Sequence, residues 1–166
     1  MEWTAPATVR TDEPFVAGER QMLQGFLDFG RQTLLVKCSG LTGAQLVARA
    51  VPPSTLSLLG LVRHVTDVER SWFRRRLGGE QVDNRYADAF DGAHAEHAPA
   101  DLAALRVEWA AADQAVAALP LEHEFVSARW GPMQLRWAYC HLASEYNRHN
   151  GHADLLRESV DGLTGE

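Results

Sequence analysis

The stretch HLASEYNRHNGHADLLRE, residues 141–158, carries three of the chain's seven histidines, with carboxylates among them. Successive residues of an α-helix turn by about 100°, so His141, Glu145, His149 and His152 fall near 0°, 40°, 80° and 20°, one stripe about 80° wide. Glu145 and His149 are one turn apart, the step at which two side chains of one helix reach a single ion. The H-E-x-x-H motif uses the same step for its histidine pair. Imidazole and carboxylate together suit a borderline divalent ion such as Zn²⁺, Ni²⁺, Fe²⁺ or Mn²⁺.

A third ligand has to come from another element, and His64, in LGLVRHVTDVERSWF, is the best candidate to supply it. It shares a face with Leu61 and Val68, and an imidazole on an apolar face is costly to bury without a partner. A metal shared with the later helix would provide one, since bundles commonly build such sites from facing helices. Spacing alone leaves another reading open. E-x-x-x-H is common in helices, and the same residues would serve as a solvated stripe and a hydrogen-bonded core histidine.

Other residues fill in the surroundings. Arg148 could grip a substrate carboxylate in bidentate fashion, or pair on the surface with Asp154 or Glu158. Arg157 has the same two readings. Asp154 also has the chemistry to orient a ligating histidine. His141 either lines the pocket or packs. Trp72, Trp109, Trp130 and Trp137 are expected in the core by default, with Trp130, beside Gly131-Pro132, placed to reach a pocket. His94, His97 and His123 read as solvated loop residues. Cys140 lies about 100° off the stripe and reads as a packing cysteine. G-x-S-x-G, P-loop and G-x-G-x-x-G patterns are absent from the sequence.

Four helices must position these groups. The first is expected from about Glu13 to Lys37, with Phe15, Met22, Phe26, Phe29, Thr33 and Val36 as its apolar stripe. The second runs from about Thr55 to Leu77, capped near Ser54 and stopped by Gly78-Gly79. The third covers roughly Leu102 to Leu119, capped by Asp101 and ended by Pro120. The fourth starts near Met133 and reaches about Ser159. Glu80 to Pro99 reads as a long polar loop, and EFVSARWGPMQLRW as a short extended piece turning at Gly131-Pro132. Strand signals are otherwise almost absent, so the expected fold is all-α: a helical bundle in a single domain over residues 1–166.

Composition sets further bounds. At 166 residues, 46% hydrophobic and 23% charged, the chain suits one globular domain with a real core. A net charge of −6 argues against nucleic acid as a partner. Basic residues are fifteen arginines and Lys37 alone, an arginine excess that matches a GC-rich composition. Cys38 and Cys140, far apart and without C-x-x-C spacing, read as buried free thiols. Neither a signal peptide nor a membrane span is visible, which places the expected protein in the cytoplasm.

Two segments carry a family resemblance over essentially the whole chain: LSLLGLVRHVTDVERSWFRRRLGG and WGPMQLRWAYCHLASEYNRHNGHADLLRESVDGLTGE. They resemble the DinB-like superfamily of four-helix-bundle metalloproteins, close to its mini-circle-protein-like branch and related to mycothiol-dependent maleylpyruvate isomerases. The resemblance implies a divalent metal on His64, Glu145 and His149, of the type with Glu first in the helix-four pair. The usual Gly-Gln after the last ligand is replaced by Gly151-His152. His152 is therefore expected to support the ligands or line the pocket, or to replace a ligand.

The resemblance also implies an up-down-down-up bundle with a long crossover between helices two and three. Implied activities are a metal-dependent S-transferase or isomerase using a low-molecular-weight thiol of the mycothiol type, with a small-molecule substrate. A metal-dependent hydrolase is the nearest variant. The alternative is a non-catalytic metal-binding dimer, structural or stress-related. Homodimers are common among relatives.

Overall fold

The computed structural model describes residues 2–164. The chain is mainly helical, with α1 over Glu19–Cys38, α2 over Gly43–Leu46, α3 over Leu58–Glu69, α4 over Ala98–Val116 and α5 over Leu135–Asp161. α3 continues without a break into a π-helical segment, Arg70–Leu77. Two short strands, β1 (Glu124–Ser127) and β2 (Gly131–Gln134), form an antiparallel hairpin with Glu124 opposite Gln134. α1 packs along α5, and α3 packs against α4 and α5. Among the described residues no helix is long and apolar enough to cross a membrane.

The hairpin corrects the all-α expectation. Its turn is the three residues 128–130, and Gly131 opens β2 at φ +76°, a left-handed value that glycine adopts freely. Pro132 is tolerated because a two-stranded sheet has only edge strands. The strands are four residues each, too short to show a period in the sequence.

α1 starts six residues later than expected. The segment before it folds back so that Pro14 lies against Gly25, where any Cβ would collide with the Pro14 ring. Phe15 is left 84% exposed and Phe26 47%. The buried face keeps Thr33 from the expected stripe and is otherwise Leu27, Gly30, Arg31, Leu34, Leu35, Lys37 and Cys38. An arginine and a glycine in that face disguise it, because a search for apolar residues passes over both.

Arg31 explains why. Its guanidinium donates from Nε to Glu69 Oε1 at 2.9 Å and from Nη2 to Glu69 Oε2, and it bonds both oxygens of Asp113 on α4. Tyr146 on α5 donates its hydroxyl to Glu69 Oε1 at 2.6 Å, and Trp109 on α4 donates to the Tyr146 oxygen. Arg31 and Glu69 are 1% and 0% exposed, so only this set of charge-assisted bonds makes their burial tolerable. The four long helices are thereby fixed at their centre.

α4 starts earlier than expected, with Pro99 in its first turn. Asp101 is therefore no cap. It is buried, where it accepts from Arg63 Nη1 and from the Tyr86 hydroxyl. Of the two thiols, Cys38 is buried and Cys140 exposed, which corrects the expectation that both pack inside. At the far end of α5, Gly162 terminates the helix at φ +80°, with its N–H on Glu158 O.

Candidate metal centre

His64 owes its place to α3. Ser57 caps that helix by accepting from Gly60 N at 3.1 Å, which sets the phase that buries Leu58, Leu61, Val62 and Val65. His64 sits at the border of this apolar face with about a third of its side chain exposed. The long polar connection covers it from outside. Asp67 accepts from the backbone N–H groups of Arg85 and Tyr86, and Arg63 donates to Asp88 O. Held in this way, Phe90 stacks on the His64 ring at 5.8 Å between centroids and lies over Gly60, where any Cβ would collide with it.

α5 brings the other two donors. Tyr146 is anchored by Glu69, and its Cβ occupies the space beside Gly30, where a Cβ would come within 2.8 Å. Asn150 donates to Gly30 O at 2.9 Å. These contacts clamp α5 to α1 on either side of the turn carrying Glu145 and His149. Helical phase then turns Glu145 and His149 toward His64.

Three donor atoms converge there. His149 Nε2 lies 3.4 Å from Glu145 Oε2, and His64 Nε2 lies 3.9 Å from the same oxygen. One donor atom from each of the three residues falls within 4.8 Å of the others, and the two imidazoles meet edge to face at 4.7 Å. For bonds of about 2.1 Å, adjacent ligand atoms of a tetrahedral ion stand roughly 3.4 Å apart, which the His149–Glu145 separation matches and the wider separations involving His64 exceed. Two neutral nitrogens and one carboxylate are a borderline-hard donor set of the kind that holds Zn²⁺ and its neighbours.

The protonation states suit this use. Burial above all, then the His64 charge, pushes the His149 pKa down to about 4, with Glu145 pulling the other way. Burial likewise lowers the His64 pKa, opposed by Glu145 and Asp67. Both rings are therefore neutral near pH 7 and offer a lone pair.

His152 sits one step behind the three donors. Its Nδ1 lies 3.3 Å from His149 Nδ1. His149 turns Nε2 toward Glu145, so a proton on its Nδ1, donated to His152, leaves the Nε2 lone pair free.

The remaining residues divide. His141 lies away from the three donors, stacked on Trp137 at 4.8 Å and 10° and edge-on to Trp72. Asp154 does not orient a histidine: its carboxylate lies 2.8 Å from Lys37 Nζ. Arg148 is exposed and forms no ion pair among the described residues. Arg157 is buried, pairs with Asp161 and donates to the carbonyls of Lys37 and Ser39, closing the C-terminal end of α1. Phe90 and the Arg31–Glu69–Tyr146 chain went unread in the sequence. An aromatic residue in a polar loop, and a glutamate within VTDVERSWF, were the available signals.

One cavity reaches the centre at His64, and a second lies next to it along Trp72. The first, of about 440 Å³, is lined by His64, Ser71, Trp72, Arg75 and Arg76 among others. The other, of about 660 Å³, shares Trp72 and is lined also by Trp130, Met133, Trp137 and His141. A larger cavity, about 960 Å³ between Asp28, Asp113 and Tyr139, includes none of the three donor residues.

Comparison with curated proteins gives no match. A family model described as mycothiol-S-transferase matches residues 22–162, a span that includes His64, Glu145 and His149. The chain belongs to the mycothiol-S-transferase family, within the DinB-like superfamily.

Proposed function

We propose that the protein is a divalent-metal-dependent S-transferase acting with mycothiol, and that His64, Glu145 and His149 hold the metal. The observation that carries this reading is the approach of the three donors to within 4.8 Å, from two helices, in a chain of this family. A bound divalent ion would supply Lewis acidity, favouring the thiolate of a coordinating thiol at neutral pH.

The protein's own groups do the rest. Arg31, Glu69 and Tyr146 hold α3 and α5 at a fixed spacing, so the donors need little rearrangement to bind. His152 fixes the ring orientation and tautomer of His149, the role that a hydrogen-bond acceptor behind a ligating histidine ordinarily fills. Phe90 and Trp72 place apolar surface beside the donors and limit water there. Arg148, on the turn between Glu145 and His149, is free to meet an anionic group of a substrate.

The open space beside His64 favours transfer over a closed structural site, which would surround the ion with protein ligands. In this reading α1, the α3 and π-helical rod, α4 and α5 form the family's up-down-down-up bundle as one domain. The test is S-conjugation of mycothiol to an alkylating acceptor such as iodoacetamide, by metal-loaded protein and by His64→Ala and Glu145→Ala. Conjugation above the uncatalysed rate, abolished in both variants, supports the reading. Uncatalysed rates with metal-loaded wild-type protein would contradict it.

A further inference from the structure

The rod that carries His64 changes geometry just beyond it. From Arg70 to Leu77 it runs as a π-helix, a wider turn often found at functional sites. This segment delivers Trp72 and Arg76 to the cavities beside the candidate metal centre. Three of the chain's five tryptophans gather there. Trp137 stands 5.2 Å from Trp72, Trp130 lies 6.4 Å away with its plane within 19° of the same ring, and His141 is 4.8 Å away.

Trp72 is buried, but Trp130 and Trp137 are 55% and 41% exposed. Such large flat surfaces left open around a concavity mark a binding surface. The cavity volume, about 660 Å³, is that of a small-molecule site. Trp72 lines both this cleft and the cavity containing His64, so the two lie side by side along one ring.

Charge narrows the occupant. Arg76 Cζ lies 4.3 Å from the Trp72 centroid, and Arg129 Cζ lies 4.9 Å from that of Trp130. Neither guanidinium has a carboxylate partner among the described residues, and Arg76 donates only to Ser71 Oγ. Arg148 is exposed and likewise forms no ion pair among the described residues. Two carboxylates line these cavities and both are engaged: Glu124 accepts from Gln134, and Asp67 accepts from the backbone N–H groups of Arg85 and Tyr86. A cation is disfavoured, since arginines already occupy faces of two of the rings.

We propose that this cleft binds the acceptor of the thiol, and that the acceptor is a flat aromatic or conjugated carboxylate. Its ring packs against the solvent-exposed sides of Trp130 and Trp137, with its carboxylate toward Arg76. The chemistry rests on the thiol-transfer reading above; the binding does not. With an aryl halide acceptor, the sulfur electron pair forms the carbon–sulfur bond. The halide leaves with its bonding electrons, and the thiol proton goes to water.

Calorimetric titration of the full chain with 3,5-dinitrobenzoate and with 3,5-dinitrobenzamide tests the site. The carboxylate should bind saturably and about tenfold more tightly than the amide, a difference that Arg76→Gln removes. Trp130→Ala and Trp137→Ala, both at exposed positions, should each weaken binding about tenfold with unfolding temperature unchanged. Absence of saturable binding, or affinities unchanged in the tryptophan variants, would overturn the proposal; equal affinity for acid and amide would overturn its anionic part.

A second arm supplies mycothiol with 4-chloro-3,5-dinitrobenzoate or with iodoacetamide. Transfer to the aryl chloride, with KM raised in the tryptophan variants, supports the assignment. Transfer to iodoacetamide alone would overturn it. Transfer to neither contradicts the thiol-transfer reading and removes the acceptor role, while the titration separately decides the carboxylate site.

Discussion

The Nδ1 atoms of His149 and His152 lie 3.3 Å apart, one turn along α5 and on the side of His149 away from Glu145. A hydrogen bond between them needs one ring as donor, and the tautomer that frees His149 Nε2 makes His152 the acceptor. His152→Gln preserves an acceptor and should retain metal affinity within a few-fold. His152→Leu removes it and should weaken affinity about 10–100-fold in a chelator competition titration. An unchanged affinity in His152→Leu would show that His152 does not orient the ligand.

The buried Arg31–Glu69 pair makes a separate prediction about stability. Glu69→Ala leaves the Arg31 charge in the core and Tyr146 without its acceptor. The expected loss is about 3–5 kcal/mol. In a chain of this size it should lower the unfolding temperature by roughly 6–20 °C. Thermal denaturation followed by circular dichroism reads it directly; a shift of a degree or two would mean that the network is not what joins the helices.

The two thiols should differ sharply. Burial raises the Cys38 pKa to about 12, so at pH 8 it holds almost no thiolate and has no path to solvent. Cys140 is exposed. Titration with a disulfide reagent at pH 8 should register one thiol per native chain and two in denaturant. Two fast-reacting thiols in the native state would contradict the packing of α1 against α5.

What could be read from the sequence was what helical phase decides. His64, Glu145 and His149 are brought together because each lies on a long helix, where spacing alone fixes a face. Arg31 and Glu69 could not be found that way, since a charged residue is assigned to solvent unless its partner on another helix is known. For the same reason the sequence leaves Asp154 open to a role beside the histidines, whereas Lys37, far off in sequence, holds it. Nothing in RSWFRRRL distinguishes a π-turn from an α-turn: the sequence rightly puts Trp72 in the core, but not the wider turn that carries it. Phe90 reaches His64 only because Asp67 and Arg63 tie down the connection around it, a tertiary effect.

The most direct measurement of the central claim is the metal content of protein purified without an affinity tag, by elemental analysis, alongside His64→Ala and His149→Ala. The account predicts about one divalent ion per wild-type chain and little in either variant, since losing one of three ligands sharply weakens retention. No ion in the wild type, and no uptake after addition of Zn²⁺, Ni²⁺, Fe²⁺ or Mn²⁺, would contradict it and reduce the three residues to polar packing between α3 and α5.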